Sequence, residues 1–140
     1  MEINRLYNLC DNENIDINNY KMNKRKARII KSDTTSIFID YSKIHSTIEE
    51  KCLLAEELGH YYHDCYYSFN SSQIDIDKAE YRANKWKCLV CITKQALLNC
   101  FKNGLTNKYE IAEELEVEPD MVQFAYNYYF INHWREVKQW

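Results

Sequence analysis

The stretch Leu53-Leu54-Ala55-Glu56-Glu57-Leu58-Gly59-His60-Tyr61-Tyr62 holds three side chains whose types and spacing can do chemistry. Glu56 and His60 are four residues apart, so on a helix they project from one face and can grip a metal ion together. Glu57 follows the first of that pair, where a carboxylate can act as a base towards water held at such a centre. The string reads as an H-E-x-x-H helix in which Glu56 stands where the first histidine would be. A metal centre needs a further ligand. Glu80, in Lys78-Ala79-Glu80-Tyr81-Arg82-Ala83-Asn84-Lys85-Trp86, is placed to supply it if the chain reverses after the first helix, leaving one position for water. Spacing alone leaves a second reading open, a solvated acidic face with one satisfied histidine.

Rival sites are weaker. His60-x-x-His63 and Cys88-x-x-Cys91 together have the composition of a structural Cys2His2 zinc site, yet both pairs fall inside expected helices. Core packing of two small apolar residues is the better account of the cysteines. His63, one turn beyond His60, is another stand-in for the missing ligand. Cys10, Cys52, Cys65 and Cys100 form no defensible Cys-His-Asn arrangement.

These groups need elements to position them. Ile3, Leu6, Tyr7 and Cys10 recur at helical spacing, so a first amphipathic helix is expected over residues 2–11. Asn12 to Asn19 is polar and turn-rich, with a short Ile15-Asp16-Ile17 alternation. Two β-prone runs, Ala27 to Lys31 and Ser36 to Tyr41, flank a polar turn and read as a hairpin. Ser46-x-x-Glu49 is a capping box, which starts the motif helix near Thr47 and carries it to about Tyr67. A Ser- and Asn-rich loop follows over Ser68 to Ile76, then a second long helix from about Asp77 to Ile92. The remainder reads as two or three helices broken at Gly104 and at Val117-Glu118-Pro119.

Composition narrows the class. The chain of 140 residues can bury a core without staples, and its two glycines and one proline favour helices over a sandwich or barrel. A formal charge of −3 argues against general nucleic-acid binding. No apolar run approaches a membrane span, no signal peptide is evident, and six cysteines without a small glycine-rich framework suit reduced thiols. A cytoplasmic protein is expected, with no membrane partner. The segment from Tyr109 to Val122 has the cadence of a helix-turn-helix. Over 105–125, six carboxylates against one lysine would repel phosphates, so the segment reads as a packing unit with no direct DNA binding. Two features are left over. Lys21, Lys24, Arg25, Lys26, Arg28 and Lys31 form a basic run, read either as a solvated strand or as a dock for an acidic partner or nucleic acid. Tyr126, Tyr128, Tyr129, Phe130, Trp134 and Trp140 make the tail richer in aromatics than one helix face needs.

The two segments L-A-E-E-L-G-H-Y-Y and E-Y-R-A-N-K-W, in that order, with an I-D-I segment and hairpin before them and a helical tail after, resemble the ImmA/IrrE family of metallopeptidases over about Ile3 to Tyr129. The resemblance implies a small zincin-like α+β fold, mostly helical: an N-terminal β-hairpin or short sheet, the motif helix, a second helix and a C-terminal helix pair. It implies one domain over 1–140, with a metallopeptidase core at 1–104 and a helical closure at 105–140. It also implies Glu57 as the catalytic glutamate, with His60 and Glu80 as metal ligands and Glu56 in the first-ligand position. The cofactor implied is zinc. The carboxylate-rich set would also suit manganese or iron, and its two negative charges would leave the metal a poorer Lewis acid. The substrate or partner implied is a protein, a helix-turn-helix repressor of a prophage or other mobile element. An endopeptidase is the favoured reading, and a non-catalytic regulator that binds such a partner is the alternative.

Overall fold

The computed structural model describes residues 1–63 and 71–131. In order these form α1 (Ile3–Asn12), β1 (Ile15–Asn19), β2 (Ala27–Lys31), β3 (Thr35–Ile39), α2 (Thr47–Tyr62), α3 (Gln73–Cys91), α4 (Lys94–Lys102), α5 (Lys108–Leu115) and α6 (Pro119–Tyr126). A 3₁₀ turn at Tyr41–Lys43 precedes α2, and a π-helical stretch at Asn127–Ile131 follows α6. The fold is the expected small α+β, mostly helical one. By internal contacts the chain forms two compact units, Glu2–Lys87 and the chain from Cys88 onward with Met1.

Within the first unit the three strands lie in the order β1-β3-β2. The expected hairpin is present: β2 and β3 pair antiparallel, and the Ser32 N–H donates to the Thr34 carbonyl at 3.1 Å in the turn. The Ile15-Asp16-Ile17 segment, read from sequence as part of a turn-rich stretch, is instead a strand. It pairs in parallel with β3, Ile17 opposite Ile37. Its polar residues Asp16, Asn18 and Asn19 are exposed, which is why the segment looks loop-like in composition. Asn14 takes a left-handed conformation, φ 57°, to leave α1 and enter β1.

Period-2 patterning gives the sheet one dry face. Ile15, Ala27, Ile29, Ile37 and Ile39 are buried, and α2 packs against β2 while α1 packs against both β1 and α2. Leu6 and Cys10 of α1, and Leu54 and Leu58 of α2, complete this core. Burial of a leucine or isoleucine side chain contributes roughly 1.5–3 kcal/mol, so this layer fixes α2 on the sheet.

The start of α2 at Thr47 is the expected one, with the Ser46 half of the capping box formed and Glu49 reaching one residue further back. The Ser46 side chain accepts from the Glu49 N–H, and Glu49 reaches back to accept from the His45 N–H. The helix ends at Tyr62 with His63 as its C-cap; the part of the expected extension beyond residue 63 lies outside the described residues. α3 begins four residues before the expected Asp77, so Glu80 sits two turns inside the helix rather than near its start.

α3 ends at Cys91, within one residue of the expected Ile92, and in the second unit α4 starts from a Thr93 side-chain N-cap, with the expected breaks at Gly104 and before Pro119 also present. Gly104 has φ 83°, a conformation that favours glycine. α5 and α6 pack through Ile111, Ala112, Met121, Val122 and Ala125. Phe101, Tyr126 and Phe130 form an aromatic cluster, and the Tyr129 hydroxyl donates to the Ile92 carbonyl at 2.8 Å, so packing uses part of the aromatic tail. Trp134 and Trp140 lie outside the described residues. No helix among the described residues is long and apolar enough to cross a membrane.

Candidate metal centre

Glu56, His60 and Glu80 each present a ligand atom, and these atoms lie within 4.8 Å of one another. The first two come from one face of α2, and α3 delivers the third. His60 Nε2 approaches Glu80 Oε1 to 3.6 Å. Bonds of about 2.0–2.1 Å arranged tetrahedrally separate zinc ligands by roughly 3.3 Å, so small side-chain rotations would close the set on an ion. Burial differs along it: His60 is 7% exposed, while Glu56 and Glu80 are partly open to solvent. The chemistry of the set also fits a cation. Two carboxylates converging on a buried imidazole, with Glu57 alongside, concentrate negative charge that a divalent ion would neutralise.

Glu57 is buried on the sheet side, where it accepts a hydrogen bond from the Ile29 N–H of β2. Burial, followed by the charge of Glu56, pushes its pKa up to about 7, while the Ile29 bond and the Arg25 charge pull the other way. A carboxyl group fixed beside the three converging side chains has the position of a general base.

Gly59 explains how α3 comes close enough. A Cβ at residue 59 would meet the Ala83 carbonyl oxygen at 2.6 Å and the Ala83 Cα at 3.0 Å. The two backbones therefore touch one residue before His60 and three after Glu80. The sequence carried a signal of this, because glycine inside a helix costs about 1 kcal/mol relative to alanine and implies a close approach. At the end of α2, the Tyr61 and Tyr62 hydroxyls both donate to the Glu13 carboxylate, at 2.9 and 3.4 Å, and the Tyr62 ring stacks on Trp86 at 5.1 Å. These contacts, and the Ile29 bond to Glu57, join residues with no regular spacing and were not readable from sequence.

The rival centres do not assemble in the same way. Among the described residues, the His, Cys, Asp and Glu side chains that converge in a group of three are Glu56, His60 and Glu80. Cys88 and Cys91 are buried, and His63 is exposed at the C-cap of α2, outside that group.

The model of the IrrE N-terminal-like domain, a peptidase family, matches residues 10–127, which span α2, α3 and the helices as far as α6. No curated protein and no solved structure gives a significant match. With most of its length matched and the motif residues gathered on two touching helices, the chain belongs to the IrrE N-terminal-like domain family of metallo-endopeptidases.

Proposed function

We propose that the protein is a zinc-dependent endopeptidase that cleaves a helix-turn-helix repressor of a prophage or other mobile element in the cytoplasm, relieving repression. The observation that carries this reading is the convergence of Glu56, His60 and Glu80 beside the buried Glu57, in a chain of a metallo-endopeptidase family. Glu56, His60 and Glu80 would hold the ion. When bound, it would polarise the scissile carbonyl and make nearby water more acidic.

Glu57 takes the proton from the attacking water as the new C–O bond forms. It then passes that proton to the amine nitrogen as the C–N bond breaks, leaving a carboxylate and an amine. The Ile29 N–H holds the Glu57 carboxylate in place on the sheet side, and Gly59 keeps α3 close enough for Glu80 to complete the set. Manganese or iron would also suit two carboxylates and one imidazole.

Glu56 itself favours a second reading. A carboxylate in the first-ligand position adds negative charge to the set and weakens the Lewis acid, which suits a protein that binds the repressor without cutting it. Co-expression with a helix-turn-helix repressor separates the two. On the peptidase reading the parent cuts the repressor, and Glu57→Gln, which keeps the shape but removes the base, slows cutting by about 10² to 10⁴-fold while metal binding persists. Intact repressor with equal derepression by parent and Glu57→Gln would establish the binding role instead.

A further inference from the structure

Residues 20–31 contain six basic side chains and no acidic one, in a chain whose formal charge is −3. Of this charge the hydrolytic reading uses only that of Arg25, which acts on Glu57. The backbone that carries it is anchored at several points. The Met22 N–H donates to Asp40 Oδ2 at 3.0 Å, the Asp40 N–H donates to the Lys26 carbonyl at 2.8 Å, and Lys43 Nζ donates to the Met22 carbonyl. Asp40 is only 2% exposed, so these ties are made from inside the fold. Lys26 is committed to Glu49 at 2.6 Å, while Lys21, Lys24 and Arg28 are exposed.

β2 is an edge strand with two different sides. Ala27 and Ile29 face the core, and the Ile29 N–H reaches Glu57. Arg28 and Ile30 point the opposite way, to the open face of the sheet. There Arg28 lies opposite Phe38 in the β2–β3 register, and Tyr20, 62% exposed, meets Phe38 edge-on with ring centroids 5.9 Å apart. Ile30 is 43% exposed. The same strand thus borders the hydrolytic carboxylate and carries a surface that is both cationic and apolar.

We propose that β2 and the turn before it dock an acidic, partly apolar segment of the protein substrate, with Lys21, Lys24 and Arg28 facing its carboxylates and Tyr20, Phe38 and Ile30 receiving its apolar side chains. This rests on the reading of the neighbouring centre as one that takes a polypeptide. Charge complementarity names the occupant: a segment bearing Asp and Glu gains from three exposed cations on and just before the strand whose opposite face borders Glu57. A nucleic acid is the less favoured occupant, because the neighbouring centre is read as one that takes a polypeptide and the chain as a whole carries a formal charge of −3.

The test uses three fluorescent probes: a short synthetic peptide in which Glu alternates with Val and Leu, its counterpart with Lys in place of Glu, and a single-stranded RNA of similar length. Anisotropy titrations are run on the full chain, on Glu57→Gln, and on the combined variant Lys21→Glu, Lys24→Glu and Arg28→Glu. The acidic peptide should bind parent and Glu57→Gln alike, weaken as salt rises, and lose about tenfold in affinity on the combined charge reversal. If that variant melts below the parent, the single change Lys24→Gln, in an exposed turn, gives the same reading with a smaller loss. Equal or tighter binding of the Lys peptide or the RNA, or an unchanged affinity after charge reversal, would overturn the proposal. Acidic-peptide binding without any proteolysis would sink the hydrolytic reading alone, and proteolysis without charge preference would sink the docking surface alone.

Discussion

Replacing Gly59 by alanine sets two well-understood effects against each other. Alanine in a helix interior is favoured over glycine by about 1 kcal/mol, so propensity alone predicts a more stable protein. The structure predicts the reverse. The added Cβ would lie 2.6 Å from the Ala83 carbonyl oxygen, where ordinary contact begins at 3.4 Å, so the helices must part by about 0.8 Å. The obstacles are the oxygen, Cα and carbonyl carbon of the Ala83 backbone, which no side-chain rotation can move. Overpacking of this kind costs about 1–3 kcal/mol, which offsets or exceeds the propensity gain. The sharper effect falls on the metal. His60 is the next residue and Glu80 lies one turn before Ala83, so parting the helices widens the 3.6 Å approach of His60 to Glu80. Metal–ligand distances tolerate about ±0.2 Å, and a displaced support costs roughly 10–100-fold in affinity. Calorimetric titration with zinc, together with thermal unfolding of the metal-free protein, measures both. Adding Ala83→Gly should not rescue binding, because the clash is with backbone. A Gly59→Ala protein that is about 1 kcal/mol more stable and binds zinc as tightly as the parent would refute the close approach.

Asp40→Asn should lower the melting temperature at neutral pH, because the buried carboxylate accepts from the Met22 N–H and from both the N–H and hydroxyl of Ser42. Those bonds, that from Met22 first, hold its pKa below the usual carboxylate value. Its contribution is therefore complete above that usual value, about 4, and is lost as pH falls through the depressed folded value. Melting curves across that acid range should show the loss in the parent and a shallower one in Asp40→Asn. Restoring histidine with Glu56→His should tighten zinc binding relative to manganese and leave peptidase activity equal to or above the parent's. Competition titrations check this, and a folded variant with unchanged zinc affinity would show that residue 56 does not face the ion.

The site was more legible in the sequence than the fold that supports it. Glu56, Glu57 and His60 share one helix, so their relation follows from helical spacing, and the capping box at Ser46 marks where that helix begins. Placement makes Glu80 a candidate only if the chain reverses after α2, and the resemblance of the segment around Ala83 and Asn84 is what singles it out as a ligand. β1 escaped notice because only Ile15 and Ile17 of its five residues face inward, and its partner β3 lies sixteen residues on, with β2 between them in sequence. The early start of α3 was hidden by Gln73, Ile74 and Asp75, exposed residues that carry no apolar stripe. The end of α3 near Ile92 is legible, and the Thr93 side chain, which accepts from the Ala96 N–H, starts the next helix there.

Metal content per chain tests the central claim most directly. Purified parent protein, dialysed against trace zinc and analysed by elemental mass spectrometry beside His60→Ala and Cys88→Ser, should carry about one divalent ion per chain, as a three-ligand site with an open position requires. The ion should vanish in His60→Ala and persist in Cys88→Ser. Full occupancy in His60→Ala, or loss confined to Cys88→Ser, would contradict a centre built from Glu56, His60 and Glu80.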